Sequence, residues 1–292
     1  MVPAIVSCSF DPSSIAGAGI DAATVDASAG GPDAAVLADA GETPDASLDA
    51  APPDAAPDAA SDLCPGADGD TVALYRFDPA GDLTDSAGEH DGSLTGAALL
   101  TPNGLAGCGR AAGFAAGGGS FMVVDASDDF ELATGSIDLL VRSGPHGTER
   151  GIFSRDAIGI GAGHLTALLD EDGRFVVRLQ ALGNNEDVVC SDALAVPGQW
   201  HHLAVNFGAP RAELYVDGVL GTTDQAVTIL GTGNFNCNTS HPEGIDGDDL
   251  PWVFGAENTS SDDGETDGAA GFFEGGAIDQ VRISGVRRDF TR

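Results

Sequence analysis

Apolar and polar residues alternate along several short segments after the first quarter of the chain. In Trp200–Phe207, the apolar residues Leu203, Val205 and Phe207 alternate with polar or small ones. A period of two is typical of a strand with one buried face, and no long segment keeps the helical period. The same pattern predicts strands at Thr71–Phe77, Phe121–Val124, Ser136–Arg142, Arg174–Leu179, Ala212–Val216 and Ala277–Ser284.

Turn residues separate these segments at regular spacing. Asp217-Gly218 stands between Leu214-Tyr215-Val216 and Val219-Leu220, which predicts a two-residue β-hairpin. Many short strands joined by Gly, Asp and Asn turns favour two packed antiparallel sheets. The sequence therefore predicts an all-β sandwich, with helices no longer than a single turn.

The beginning of the chain has a different character. Residues 9–63 contain 11 acidic residues and no basic one, and repeats such as Pro53-Asp54-Ala55-Ala56 dominate. Such a segment buries too little apolar surface to offset its conformational entropy. We predict a disordered Asp/Ala/Pro-rich linker at 9–63 and a folded domain at 64–292.

The first eight residues resemble the end of a bacterial export signal. Ile5-Val6-Ser7-Cys8 is similar to a lipobox, in which the last cysteine is acylated. This predicts residues 1–8 as a signal-peptide remnant and Cys8 as a lipid anchor; the alternative is a chance apolar stretch. We expect an exported protein, either a lipoprotein of the outer membrane or cell surface or a secreted one.

The composition excludes several classes of partner. The chain has 46 acidic residues and 12 basic ones, all arginine, and a formal net charge of −34 at pH 7. A P-loop lysine and a Schiff-base lysine are therefore both excluded. The charge also argues against nucleic acid and against direct contact with an anionic membrane. Calcium, neutral sugars and basic proteins remain compatible, and we expect a monomer.

Three segments in order resemble the laminin G-like branch of the concanavalin A-like lectins and glucanases. They are Val72–Gly92 (VALYRFDPAGDLTDSAGEHDG), Gly198–Gly218 (GQWHHLAVNFGAPRAELYVDG) and Gly275–Gly285 (GGAIDQVRISG). The resemblance covers essentially all of 64–292 and implies a concanavalin A-like jelly roll. It does not specify function, because this fold carries lectins, adhesion modules and glycosidases.

The resemblance also implies a calcium site near the edge of the sandwich. Asp85 in the first turn and Asp279 in the closing strand match the positions that serve the ion in the family, and Asp91 can add an oxygen ligand. Asp279 also shares strand parity with Val281 and Ile283, which we expect in the core. In the alternative interpretation, Asp279 accepts backbone amides and Asp85 only forms a turn.

Four cysteines lie in the predicted domain. None has the spacing of a zinc site, and four cysteines allow three pairings. We favour Cys64–Cys108, which ties the domain entry to a nearby loop, and Cys190–Cys237, which clamps a loop before Trp200 to a later segment. Disulfides are the default in an exported chain.

Two acidic loops are further candidates for binding. Asp263, Glu265, Asp267 and Glu274 nearly fit a calcium-loop spacing, although Glu265 stands where Asp or Asn is usual. Asp246 and Asp248 add charge to a second loop. We predict ligand contacts from these loops and their aromatic neighbours: Phe235, Asp246, Asp248, Trp252 and Phe272.

Catalytic signatures are incomplete in this sequence. Glucanases of this fold place two catalytic carboxylates in an E-x-D-x-x-E strand, but Glu89-His90-Asp91 leads to Leu94 and Glu265-Thr266-Asp267 to Ala270. We therefore predict a non-catalytic envelope module that binds a glycan or an extracellular protein. A diverged glycoside hydrolase or lyase and a purely structural envelope protein are the alternatives.

Overall fold

The computed structural model describes residues 64–292 except for 78–82, 103, 106, 158–162, 181–185, 230–231, 239–241, 246–249, 259–265 and 267. Within these residues the fold is all-β, and the one helical element is a 3-10 turn at Asp128–Phe130. Among the same residues, no helix combines the length and apolar character that a membrane crossing requires. The predictions for Cys8 and for the linker at 9–63 lie outside the described residues.

Two large antiparallel sheets pack face to face. The first has eight described strands, in the order β13 (Val219–Leu220), β12 (Glu213–Val216), β11 (Trp200–Phe207), β6 (Gly135–Arg142), β19 (Ala277–Ser284), β4 (Ala111–Gly113) and β3 (Leu99–Thr101), with β1 (Thr71–Tyr75) also paired to β19. The second has seven, in the order β10 (Glu186–Leu194), β9 (Arg174–Gln180), β8 (His164–Leu169), β7 (Arg150–Arg155), β16 (Trp252–Phe254), β5 (Phe121–Val124) and β2 (Gly92–Thr95).

Two small hairpins complete the described strands. The first pairs β14 (Ala226–Ile229) with β15 (Gly233–Asn236). The second pairs β17 (Glu257–Asn258) with β18 (Ala269–Ala270).

The core lies between the two large sheets and confirms the predicted alternation. Leu203, Val205 and Phe207 of β11 are fully buried in it, as are Trp252 and Phe254 of the opposite sheet. Burial of apolar surface between the layers is the main term that stabilises such a sandwich. The predicted two-sheet architecture is therefore confirmed.

The predicted hairpin at Asp217-Gly218 is also present. Both residues have positive φ values, 52° and 81°, and the hairpin joins β12 to β13. The Asp217 carboxylate contacts His201 Nδ1 at 2.7 Å and accepts the backbone N–H of His202 at 2.8 Å. Both histidines are largely buried, and the His201 ring and the His202 backbone hold the hairpin against β11 through Asp217.

Both predicted disulfides are formed. Cys64 bonds to Cys108, with the Cα atoms 5.4 Å apart, and Cys190 bonds to Cys237 at 5.5 Å. The second disulfide attaches the β14–β15 hairpin region to the outer face of the seven-stranded sheet. There Val227 and Ile229 of the hairpin pack on Leu168, Val176 and Val188 of the sheet.

Residues 285–292 lie across the outer face of the eight-stranded sheet. Phe290 packs against Ala204, Tyr215 and Leu220. The carbonyl oxygen of Arg288 accepts the Asn206 side-chain N–H at 3.0 Å, and its own N–H donates to Asn206 Oδ1 at 3.1 Å. This segment therefore covers part of one outer face of the sandwich.

Candidate functional site

Polar side chains interrupt the apolar outer face of the seven-stranded sheet. Apolar outward-facing residues lie on both sides of them, in two separate hydrophobic clusters. We name this set the polar patch, and its members are Ser154, Asp156, His164, Thr166, Arg178, Gln180, Glu186 and Glu257.

The register of the strands assembles this patch. Arg178 of β9 is opposite Thr166 of β8, which is opposite Ser154 of β7. In the next row, Gln180 is opposite both Glu186 and His164. These side chains point away from the core, because the residues that alternate with them, such as Val177 and Leu179, belong to the core.

Arg178 is the centre of the hydrogen-bond network. Its Nη1 donates to Asp156 Oδ2 at 3.0 Å, and its Nη2 donates to Gln180 Oε1 at 2.9 Å and to Glu186 Oε1 at 3.0 Å. Hydrogen bonds between charged groups are the stronger kind in proteins. Arg178 thus fixes two carboxylates that arrive from different strands.

Asp156 joins the other half of the patch. Its Oδ2 accepts the Thr166 hydroxyl at 2.9 Å, and its Oδ1 lies 2.9 Å from His164 Nδ1. Thr166 in turn lies 3.2 Å from the Ser154 hydroxyl. The position of Asp156 at the end of β7 lets one carboxylate contact three neighbouring side chains.

The patch retains polar atoms that could bind a ligand. Within the described part of the chain, Arg178 Nε, Glu186 Oε2 and Glu257 Oε1 are buried and have no hydrogen-bond partner. Buried polar atoms are usually paired, since an unpaired one loses its hydration without compensation. A ligand with hydroxyl groups offers both donors and acceptors for these atoms.

Glu257 is the most perturbed acid of the patch. Burial, reinforced by the carboxylates of Glu149 and Asp156, raises the pKa of Glu257 to about 8, while Arg178 opposes the shift. Gly271 makes room for this carboxyl group: a Cβ atom there would lie 2.7 Å from Glu257 Oε1. The patch therefore combines a carboxyl group that stays protonated near neutral pH with carboxylates bound to arginine.

Aromatic residues flank the patch on the same outer face. Phe272 stacks on Phe121, with ring centroids 6.2 Å apart and an interplanar angle of 20°. Phe235 packs on the cluster beneath the β14–β15 hairpin. Both rings are only partly buried. The structure thus brings two of the predicted ligand contacts to the edges of the polar patch.

An acidic pocket of about 410 Å³ lies beside the β14–β15 hairpin. Glu149, Asp170, Glu171 and Asp172 line it on one side, and residues of β14 line it on the other. Glu149 also contributes to the raised pKa of Glu257. The pocket therefore adjoins the polar patch through this pair of carboxyl groups.

Trp252 corrects one sequence prediction. Its side chain is 0% exposed, and its ring packs against Phe130, Phe153 and Phe254. Trp252 is therefore a core residue and not an exposed ligand contact, because β16 is a central strand that directs it between the sheets. Asp246 and Asp248, which were predicted beside it, lie outside the described residues.

The first two predicted calcium ligands form a turn. Asp85 is 4% exposed. Its Oδ1 accepts the N–H groups of Leu74 and Ala87 at 2.8 Å each, and its Oδ2 accepts that of His90 at 3.3 Å. Asp91 accepts the N–H of Asp85 at 2.9 Å. Backbone amides use the carboxylate oxygens here, as in the alternative interpretation.

Asp279 occupies a β-bulge, which changes its predicted orientation. Ile278, Val281 and Ile283 all face the core, so Asp279 does not share the parity of Val281. Its carboxylate accepts the N–H of Gln280 at 2.8 Å and that of Leu105 at 3.3 Å. The parity argument was wrong because the bulge adds a residue between Asp279 and Val281.

These three carboxylates do not fit a calcium ion. Each accepts at least one backbone N–H group, and N–H donors compete with a cation for the same lone pairs. No group of three His, Cys, Asp or Glu side chains is arranged to hold a metal within the described ranges. Calcium binding by Asp85, Asp91 and Asp279 stays a prediction that their geometry does not support.

The second predicted metal loop is described only at its end. Asp263, Glu265 and Asp267 lie outside the described residues. Glu274 Oε1 accepts the N–H of Gly117 at 2.8 Å, and its Oε2 lies 3.5 Å from Arg150 Nη1. In the described structure, Glu274 therefore anchors the turn at Gly117 to β7.

Sequence reasoning missed most of the polar patch. A signal was present for Arg178, which stands between the apolar residues Val177 and Leu179 in a predicted strand and must face outward. Asp156 and Glu257 follow or begin short strands that the alternation did not reveal. Their proximity depends on pairing between strands that are far apart in sequence.

Comparison with known proteins gives a family-level match. The laminin G-type family model described as "Concanavalin A-like lectin/glucanases superfamily" matches residues 116–288. That span includes every member of the polar patch. A search of the curated proteins found no match.

Solved structures with a similar fold include a domain of an arabinanase and a receptor-binding domain of a toxin. Domain 4 of AbnA, an extracellular GH43 arabinanase from Geobacillus stearothermophilus solved in complex with arabinotriose, is 19% identical with a TM-score of 0.53, and the match covers 74% of this chain and 92% of that one. The receptor-binding domain of botulinum neurotoxin mosaic serotype C/D is 11% identical with a TM-score of 0.52, covering 76% and 48%. This chain thus spans about half of the toxin domain.

Proposed function

The chain belongs to the concanavalin A-like lectin/glucanases superfamily, and we propose that it is a non-catalytic module that binds a glycan through the outer face of its seven-stranded sheet. The similar arabinanase domain was solved with arabinotriose, which makes a neutral oligosaccharide a reasonable first ligand. A neutral sugar also suits a chain with a net charge of −34, since it meets no electrostatic repulsion.

The observation that carries this proposal is the set of unsatisfied polar atoms between aromatic residues. Glu186 Oε2, Glu257 Oε1 and Arg178 Nε have no partner within the described chain, and Phe272 and Phe235 flank them. Sugar sites combine planar hydrogen-bonding groups for the hydroxyls with aromatic rings for the apolar sugar face. The polar patch and its flanks supply both kinds of contact.

The expected location of this module is extracellular. Two disulfides and the laminin G-like fold indicate an extracellular location, because disulfides persist in oxidising compartments. A lipid anchor at Cys8 and attachment to the outer membrane stay predictions. An extracellular protein is the second kind of ligand that such a surface suits.

Binding of arabinotriose and of an immobilised glycan array tests the proposal. We expect saturable binding by the wild-type chain and at least about tenfold weaker binding by Glu186→Gln and by Phe272→Ala, since each loses one ligand contact. Glu131→Gln is the matched control, because Glu131 is exposed and lies outside both the polar patch and the acidic pocket. Its affinity should equal that of the wild type.

Two results would contradict the proposal. One is silence of the folded wild-type chain on every glycan, which would favour a protein ligand. The other is equal loss of binding in Glu131→Gln and Glu186→Gln, which would place the ligand elsewhere. Repeating the measurement with calcium and with EDTA tests the predicted calcium dependence at the same time.

A glycoside hydrolase or lyase is the second candidate, and Glu257 favours it. Its raised pKa suits a general acid, and Asp156 nearby is a carboxylate held by Arg178. Glycosidases pair an acid with a second carboxylate in this manner. Release of reducing ends from a polysaccharide, lost in Glu257→Gln but retained in Glu131→Gln, would support catalysis. Absence of release from any bound glycan would exclude it for that glycan.

A further inference from the structure

The closing strand β19 changes its partner halfway along its length. Ala277 and Ile278 pair with β4, whereas Val281 to Ser284 pair with β1 on the same side. Asp279 and Gln280 form the bulge between these two stretches, and Gln280 has a positive φ of 51°. Where β1 ends and β4 has not yet begun, backbone carbonyl groups lose their strand partners.

The side chain of Gln280 fills this junction. It is 1% exposed. Its Nε2 donates to the carbonyl oxygen of Cys108 at 2.9 Å and to that of Arg76 at 3.0 Å, and it lies 3.3 Å from Asp279 Oδ1. Three oxygen atoms from three separate segments thus surround one nitrogen atom.

The environment determines which way the amide is oriented. Gln280 Oε1 has no hydrogen-bond partner within the described residues, so the nitrogen makes the contacts. The reversed amide would place an oxygen against two carbonyls and a carboxylate, which have no hydrogen to offer it. The nitrogen is therefore the atom that this junction requires.

Backbone carbonyl oxygens and carboxylate oxygens are also the ligands that bind calcium in proteins. Here the same kind of oxygen set surrounds the Gln280 nitrogen. The carboxylate of Asp279, which is 0% exposed, also receives the backbone N–H groups of Leu105 and Gln280. The carboxylate and carbonyl oxygens at this junction therefore already accept hydrogen bonds from N–H groups of the protein.

We propose that the side-chain amide of Gln280 takes the place of a cation at this junction, so that β1, β4, Leu105 and Cys108 close around β19 without a metal ion. The substitution Gln280→Glu would restore the need for a cation at this junction. It would add a second carboxylate beside Asp279 and would remove the donor for the two carbonyls.

Calcium titration of the full-length chain, followed by two-dimensional NMR of its ¹⁵N-labelled amides, tests the proposal. In the wild type we expect the resonances of the Gln280 side chain and of the Leu105 and Gln280 backbone to remain unchanged. Calcium bound at another site would move other resonances and leave these in place. A saturable, calcium-dependent shift of these resonances would overturn the proposal.

The substitution Gln280→Glu supplies the converse measurement. We expect its melting temperature to fall in EDTA and to rise by about 5 °C or more with excess calcium, because a ligand that binds only the folded state stabilises it. Gln280→Met, which removes the donor without adding charge, should also lower the melting temperature, but calcium should not restore it. A Gln280→Glu variant that is as stable as the wild type in EDTA would contradict the proposal.

Discussion

Single residues in this fold show how a buried carboxyl group depends on its neighbours. Asp85 is surrounded by backbone N–H groups and forms a turn. Asp156 is held by an arginine and a hydroxyl group. Glu257 meets two other acids and keeps an oxygen without a described partner. The same chemical group therefore stabilises a turn at Asp85, joins a hydrogen-bond network at Asp156 and has a raised pKa at Glu257.

Glu257 should make the free energy of unfolding depend on pH. Its pKa rises from 4.5 in the reference state to about 8 in the fold, so the folded state binds more protons between these values. The stability of the wild type should therefore fall as pH rises from about 4.5 to about 8. The variant Glu257→Gln lacks this titrating group. Its free energy of unfolding should therefore exceed that of the wild type by about 2–4 kcal/mol at pH 9.

Chemical denaturation at pH 4, below both pKa values of Glu257, and at pH 9, above both, measures this difference. Glu131→Gln is again the control, because Glu131 is exposed, and it should follow the wild type at both values. If the free energy of unfolding changes equally with pH in Glu257→Gln and in the wild type, burial of the Glu257 carboxylate has no free-energy cost.

At the scale of elements, the sequence predicted the strands that have one apolar face. Trp200–Phe207 and Ala277–Ser284 were predicted with their observed bounds. His164–Leu169 was missed because both of its faces are buried, so its residues do not alternate. The bulge at Gln280 was missed for another reason: its positive φ and its contacts with Arg76 and Cys108 arise from distant strand pairing.

The candidate site was harder to predict than the fold, because its residues meet only through pairing of strands that are distant in sequence. Arg178 lies in a predicted strand, but its partner Asp156 lies 22 residues away, and Glu257 comes from a short hairpin. Phe272 and Phe235 were predicted as loop aromatics, and packing places them on one face. Trp252 stands instead in the apolar run Pro251-Trp252-Val253-Phe254, which is typical of a strand, and the central position of β16 in its sheet buries it.

Removal of the Cys190–Cys237 disulfide should loosen one element more than the rest. The double variant Cys190→Ser, Cys237→Ser opens a loop with a sequence separation of 47. We expect a loss of about 2–4 kcal/mol in the free energy of unfolding. Hydrogen exchange should speed up mainly in β14 and β15, because these strands depend on the disulfide and one apolar cluster.

The matched variant Cys64→Ser, Cys108→Ser removes a loop of similar length, with a separation of 44. It should leave exchange in β14 and β15 unchanged. Equal acceleration across both large sheets in the first variant would contradict a local role for Cys190–Cys237.

At the largest scale that the structure describes, the two outer faces of the sandwich differ. Residues 285–292 cover part of the eight-stranded sheet, whereas the polar patch lies on the outer side of the seven-stranded sheet. The principal core draws on residues from Ala73 to Ile283.

A fragment that begins at residue 62 should be as stable as the full chain. It keeps Cys64, and it keeps Asp68, which forms an ion pair with Arg288 at 2.7 Å. We expect the melting temperatures to agree within about 2 °C. A fragment that begins at residue 66 loses the Cys64–Cys108 disulfide and should melt about 5–10 °C lower. Differential scanning calorimetry of the three chains measures this, and a large drop for the longer fragment would contradict the predicted boundary.

The placement of Phe290 and Arg288 over the eight-stranded sheet has a practical consequence for biosensor work. A fluorescent reporter or a surface tether joined after Arg292 would emerge on the side of the sandwich opposite the polar patch. The chain could thus be immobilised by that end while the outer face that carries the polar patch is turned to the solution. Because the sequence contains no lysine, amine-directed dyes would leave every side chain of both faces unlabelled.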